Sequence, residues 1–190
     1  MTHNITLIQG HPDSSPERFC RALATAYADG AREAGHEVRT IEIATLDFPL
    51  LRSREESETQ PIPPALVPAQ ADLLWADHIV VIFPLWLGTM PALLKGFLEQ
   101  VIHLPRNDMG ALTHFFAGKT GRVIVTMGMP DFIYRFYFDA AGVRTLERGI
   151  LRLTGMGRIK ESLIGMVETP NAKYRERWLA RITAAGKRGD

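Results

Sequence analysis

Asp77–Val101 reads DHIVVIFPLWLGTMPALLKGFLEQV, and the rest of the chain is organised around it. Residues 79–83, Ile-Val-Val-Ile-Phe, form an unbroken β-branched and aromatic run, as expected of a parallel strand buried on both faces. Pro84 ends it, because proline lacks the N–H that a central strand needs. Thr89 is placed to cap a helix, with Pro91 in its first turn. Leu93, Leu94, Phe97, Leu98, Val101 and Ile102 then recur at helical spacing. Between strand and helix lies Pro84-Leu85-Trp86-Leu87-Gly88. Ligands of open α/β sheets bind beyond the carboxyl ends of strands, and this loop is apolar and aromatic where a polar one is ordinary. It suits a flat, partly apolar ligand.

The same strand–loop–helix pattern repeats on both sides. Residues 4–9 form a first strand, followed by the turn-rich Gly10–Pro16 and a helix from about Pro16 to Ala34. Residues 38–43 alternate as an edge strand would. Residues 44–64 look the least ordered, and the charged stretch 52–60, which has no apolar period, is expected to be a solvated loop or a lid. Helical spacing resumes over 65–75. After the central stretch comes a long connection, 103–118, of a length that is often functional. A strand at 122–126 runs into Met127-Gly128-Met129-Pro130-Asp131, a second ligand loop. A helix is expected over 143–153, a weaker strand over 158–166, and a last helix from Thr169-Pro170 to Ala185.

Five alternations without a linker predict one α/β domain over residues 1–190, with a parallel sheet covered by helices on both faces. Right-handed crossovers favour the flavodoxin-like order 2-1-3-4-5, a three-layer sandwich. That order brings together the loops after strands 1, 3 and 4.

Composition narrows the function. Lys and Arg number 22 against 21 Asp and Glu, so a strongly basic nucleic-acid face is not expected. The single cysteine, Cys20, fits a reducing compartment, and the lack of a signal-like or membrane-length apolar stretch makes a cytoplasmic protein without membrane insertion the expectation. The histidines are scattered and give no helical metal pair. The first loop opens a helix whose free N–H groups and dipole favour an anion, with Ser14, Ser15, Arg18 and His11 at hand. It is neither a Walker A loop nor a GxGxxG fingerprint, and a plain capping turn is the alternative. Trp86 is a stacking surface or a core filler. Met127 and Met129 pack against a ring or fill gaps, and Gly128 permits close backbone approach. Cys20 is a small buried filler or a lowered-pKa thiol. So few acid–base candidates suit a reaction whose hard chemistry belongs to a cofactor.

The pieces GHPDSSPERFCRAL, FPLWLGTMPALLKGFLEQV and TMGMPDFIY, in this order, resemble the NAD(P)H:quinone oxidoreductase family of flavodoxin-like flavoproteins. The resemblance implies bound flavin, FMN rather than FAD in so compact a chain, and a homodimer. It implies hydride transfer from NAD(P)H to flavin N5 and on to a quinone-like acceptor, in a ping-pong scheme. By position, His11, Arg18, Phe19 and Cys20 fall near the flavin phosphate, with Ser14, Ser15 or Arg18 standing in for a family serine. Pro84, Leu85, Trp86 and Leu87 flank the ring. Thr126, Met127, Gly128 and Met129 line its pyrimidine side, where the family's Thr-Thr-Gly-Gly has lost one glycine. Tyr134 matches the tyrosine that accommodates charge on the reduced ring; the histidine that some relatives carry six residues later is Ala140 here. The competing readings are a flavodoxin-type electron carrier and a flavin-binding regulatory subunit of an ion-efflux system, with residues 52–60 and 104–116 as contacts.

Overall fold

A computed structural model describes residues 2–102, 114–169 and 171–190. Strands β1 (Asn4–Gln9), β2 (Glu37–Glu42), β3 (His78–Pro84), β4 (Thr120–Thr126) and β5 (Ile159–Ile164) form one sheet of order β2-β1-β3-β4-β5. Every pairing is parallel. β3 sits at the centre, with Ile5 opposite His78 on one side and Pro84 opposite Thr126 on the other, and all its residues are buried.

The period of two sorts its side chains between two cores. Ile79, Val81 and Phe83 pack with α3 (Val67–Trp75) and α4 (Ala92–Val101). Val80 and Ile82 pack with α1 (Phe19–Glu33) and α7 (Ala172–Arg188). The expected three-layer architecture is the observed one.

Several boundaries differ, each for a local reason. α1 begins at Phe19 rather than near Pro16, because Asp13 accepts the Ser15 amide and folds the preceding residues into a turn. The stretch expected as a solvated loop contains α2 (Arg54–Thr59), capped by Ser53 through the Glu56 amide at 3.0 Å. Thr89 does not cap α4. Its amide and carbonyl both bond to Trp86, and Pro91 takes the N-cap position. A helix missed in the sequence, α5 (Asp131–Phe136), follows the second ligand loop. The next helix starts earlier than expected, as α6 (Ala141–Leu146), and widens into a π-turn over Glu147–Arg152. Asn171, not Thr169, caps α7 by accepting the Tyr174 amide, and α7 continues to Arg188. Of the long connection at 103–118, residues 103–113 lie outside the described residues, as does most of the contact candidate 104–116.

Two buried ionisable groups set opposing pH dependences. His78 shares a hydrogen with Thr120 Oγ1 at 2.7 Å through Nδ1, while its buried Nε2 has no partner. Burial, then the Arg122 charge, lowers its pKa to about 4. The folded state thus refuses a proton that the unfolded chain takes near pH 6.5, and stability falls as pH drops from 6.5 to 4, by about 3 kcal/mol. Glu147 is buried beside Glu161, and burial followed by that charge raises it to about 7. Its contribution is present below the unfolded value near 4.5 and is lost as pH rises through 7. The two slopes offset each other in the native chain. In denaturant titrations at pH 4.5, 5.5 and 6.5, Glu147→Gln steepens the acid loss of stability and His78→Gln reverses the slope; parallel profiles for all three proteins contradict this assignment.

Candidate active site

The carboxyl ends of β1, β3 and β4 open onto a cavity of about 530 Å3. Its floor is α1's N-terminus. The first amides with helical acceptors are those of Arg21 and Ala22, which bond to Arg18 O, so the Phe19 and Cys20 amides are left without intrahelical partners. No acidic residue occupies the first turn and no side chain caps it. That end is therefore electropositive and open.

Around it stand two arginines. Arg18 binds Asp13 through Nε at 2.7 Å and its terminal nitrogen at 2.5 Å. Asp13 also accepts the Ser15 amide, and these bonds hold its carboxyl below the usual range. Arg175, from α7, donates to Val167 O at 2.9 Å and lies over the Phe19 ring at 5.2 Å. Glu17 and Glu168 line the same hollow. His11 Nδ1 accepts the Asp13 amide at 2.9 Å. Burial and the Arg18 charge lower its pKa, so at neutral pH the ring is uncharged and carries its hydrogen on Nε2. Its edge meets Trp86, centroid to centroid 5.9 Å.

Trp86 forms the opposite wall and is 49% exposed. Beyond it lies a second hollow of about 450 Å3, lined by Leu87, Thr89, Met90 and Pro91 and almost wholly apolar. Trp86 borders both hollows. The turn that carries it is closed by Trp86 N–H to Thr89 O at 2.9 Å and the reverse bond at 3.0 Å. Leu87 (φ +47°) and Gly88 (φ +81°) occupy its centre, both left-handed. Leu85 is tied to β4 through Thr126 O.

The sequence candidates divide accordingly. His11, Arg18, Phe19, Cys20, Pro84, Trp86 and Thr126 line the larger cavity, and Leu87 lines the apolar one. Ser14 is exposed and borders neither hollow, whereas Met127 is a buried core residue and Met129 packs partly against that core. Gly128 faces Glu168, whose Oε1 lies 3.0 Å from where a Cβ would be. Tyr134 is fully buried, with its hydroxyl bonded to Gly88 O and the Val143 amide. Sequence reasoning passed over Glu168 and Arg175. The open end of β5 and the Asn171 cap were the available signals. Among the described residues no cluster of three or more His, Cys, Asp or Glu is arranged to hold a metal, and no helix is long and apolar enough to cross a membrane.

These residues fit a flavin. The open helix end with Arg18 and Arg175 suits a phosphate, Trp86 supplies a flat wall, and the volume lies in the range of small-ligand sites. A family model described as flavodoxin-like fold matches residues 3–184. The chain belongs to this flavodoxin-like family. An uncharacterized NAD(P)H oxidoreductase of Haemophilus influenzae is 26% identical over 180 residues, covering 91% of this chain and 89% of the relative. Among solved structures, the NAD(P)H:quinone oxidoreductase from Methanothermobacter marburgensis superposes with a TM-score of 0.80 at 22% identity, over 98% and 96% of the two chains. An FMN-dependent NADH-azoreductase from Bacillus anthracis, solved with FMN, gives 0.74 at 13% identity, over 97% and 98%.

Cys20 lines the cavity of this flavodoxin-like chain but is not a reactive thiol. It is 2% exposed, its Sγ lies 3.2 Å from Thr126 Oγ1, and burial pushes its pKa up to about 11. At pH 8 the native protein should react with iodoacetamide roughly a hundredfold more slowly than an exposed cysteine. Rapid labelling of folded protein, followed by mass spectrometry, is the result that removes Cys20 from the buried wall.

Proposed function

We propose that this chain is a flavin-dependent NAD(P)H oxidoreductase acting on quinones or related two-electron acceptors. The observation that carries the reading is the junction at Trp86. On one side the open end of α1 and two arginines await an anion, and on the other lies an apolar hollow. The named activities of the relatives and of the similar structures point the same way.

The protein's part is binding and exclusion of water. The α1 amides with Arg18 and Arg175 would hold the phosphate; Pro84, Leu85 and Trp86 would flank the ring. When bound, the flavin would supply the two-electron, hydride-level chemistry between NAD(P)H and the acceptor. Thr126 Oγ1 and the Nε2–H of neutral His11 offer fixed polar groups at the cavity wall. The apolar hollow beside Trp86 accommodates an aromatic acceptor. FMN is the flavin favoured, by the compact chain and by the FMN-dependent neighbour.

A homodimer forms part of the same reading. Phe132, Phe136 and Tyr137, 59%, 80% and 81% exposed, share an apolar stretch after the second ligand loop, and Leu87 is wholly exposed. So many exposed apolar side chains in one stretch are the surface this reading offers to a second copy.

The purified protein, with FMN added if colourless, should show a flavin absorption spectrum and oxidise NADH or NADPH with a soluble quinone. Trp86→Ala should weaken flavin binding about tenfold. A protein that binds neither FMN nor FAD overturns the reading, and one that binds flavin without turnover is a carrier instead. Sedimentation equilibrium should report a dimer that Phe136→Asp shifts toward monomer; a monomeric native protein removes the dimer.

A further inference from the structure

Left-handed backbone at non-glycine residues is costly and collects where surrounding structure enforces it. Among the described residues the non-glycine cases are Leu87 (φ +47°), Asp139 (+53°), Ala140 (+47°) and Met166 (+54°). The first three meet at Tyr134. Its hydroxyl donates to Gly88 O at 3.0 Å, inside the left-handed turn of Leu87, and accepts the Val143 N–H at 3.2 Å. Its carbonyl accepts the Ala140 amide at 3.0 Å, inside the other left-handed turn. An Arg144–Asp139 ion pair spans that second turn.

The fit between the turns is close. A Cβ on Gly142 would lie 2.2 Å from Gly88 O and 2.6 Å from Thr89 Cα, so the start of α6 touches the turn backbone directly. The Leu87 and Gly88 amides have no acceptor among the described residues. The turn thus presents donors as well as the Trp86 wall, and its shape is imposed from behind by Tyr134 and Gly142.

We propose that Tyr134 is a positioning residue, latching the left-handed Leu87–Gly88 turn onto the start of α6 so that Trp86 and the free turn amides are held for the flavin. This rests on the flavin reading above for its purpose, but not for its geometry. Two observations separate it from a proton-carrying role. Tyr134 is fully buried and lines neither hollow. Its hydroxyl hydrogen is committed to Gly88 O, and one lone pair to Val143 N–H. Giving up that hydrogen would release the turn.

The test uses hydrogen exchange in flavin-free protein, alongside steady-state kinetics of the flavin-loaded form. Tyr134→Phe removes the hydroxyl, and Gly142→Ala pushes the turn away with the hydroxyl intact. Each should speed exchange of the Trp86 and Thr89 amides about tenfold and leave the β3 amides unchanged. Each should raise KM for the acceptor more than it lowers kcat and keep the alkaline limb of the pH profile. Leu87→Gly, which suits a left-handed site, should restore protection in the Tyr134→Phe background. Unchanged exchange at Trp86 and Thr89 in Tyr134→Phe overturns the latch, as does a collapse of kcat with loss of the alkaline limb in that variant alone. If Tyr134→Phe does not fold, Gly142→Ala decides by the same exchange criterion. If no flavin binds, the exchange result still decides the latch, while the flavin reading fails separately.

Discussion

β3 is buried from its first residue to its last, and the site follows from where that strand must stop. A strand with both faces covered needs its backbone hydrogen bonds met on both edges, and β1 and β4 supply them through Gln9–Ile82 and Pro84–Thr126. Pro84 can accept from a neighbour but cannot donate, and after one more bond, Leu85 N–H to Thr126 O, the chain departs at the level where β1 and β4 also end. The three following loops are thereby brought to one rim. No long-range side-chain interaction is required to gather them; parallel register does it.

What stands on the rim is then decided by local backbone chemistry. The first loop turns through an Asp13–Ser15 bond and leaves α1's opening amides bare. The second turns through the Trp86–Thr89 pair, which forces two left-handed residues and throws Leu87 fully into solvent. Such a turn has a cost of order 1–2 kcal/mol at Leu87, and a leucine placed there gains nothing from burial in this chain. The cost is met by the Tyr134 and Gly142 contacts behind it. A residue exposed and strained at once is better explained by what the turn presents than by the stability of the fold.

Fold and site were legible to different depths. The strand order could be read because Ile79–Phe83 and Val123–Val125 are continuous apolar runs and Ile5–Ile8 is broken only by Thr6, as suits buried parallel strands that alternate with helices. The α5 helix is only six residues long, and Phe132, Ile133, Phe136 and Tyr137, which do recur at helical spacing, face outward rather than into the core. α2 carried a Ser53-x-x-Glu56 capping signal, but no apolar stripe followed to mark a helix. Within the site, His11, Arg18 and Trp86 were found because each lies in the loop between a strand and the helix that follows it. Arg175 was not, since it reaches the cavity from α7, far along the chain. Ser14 was chosen by residue type, and the Asp13 turn leaves it outside.

Charge at the anion end poses the sharpest energetic question. Arg18 and Arg175 are opposed by Asp13, Glu17 and Glu168, so the cavity is not a simple cationic trap. Asp13 is spent on Arg18 and the Ser15 amide, which makes it a positioning group for the guanidinium rather than a free repulsive charge. Glu168 sits against Gly128, where any larger residue would displace it. A bound phosphate would compete with Asp13 for Arg18, and the exchange of one anion for another lowers the net gain from that arginine. The α1 amides carry no such competitor, because no side chain among the described residues caps them. Under the proposed flavin reading, affinity for the phosphate would therefore rest first on backbone N–H groups and the helix dipole, with the arginines second.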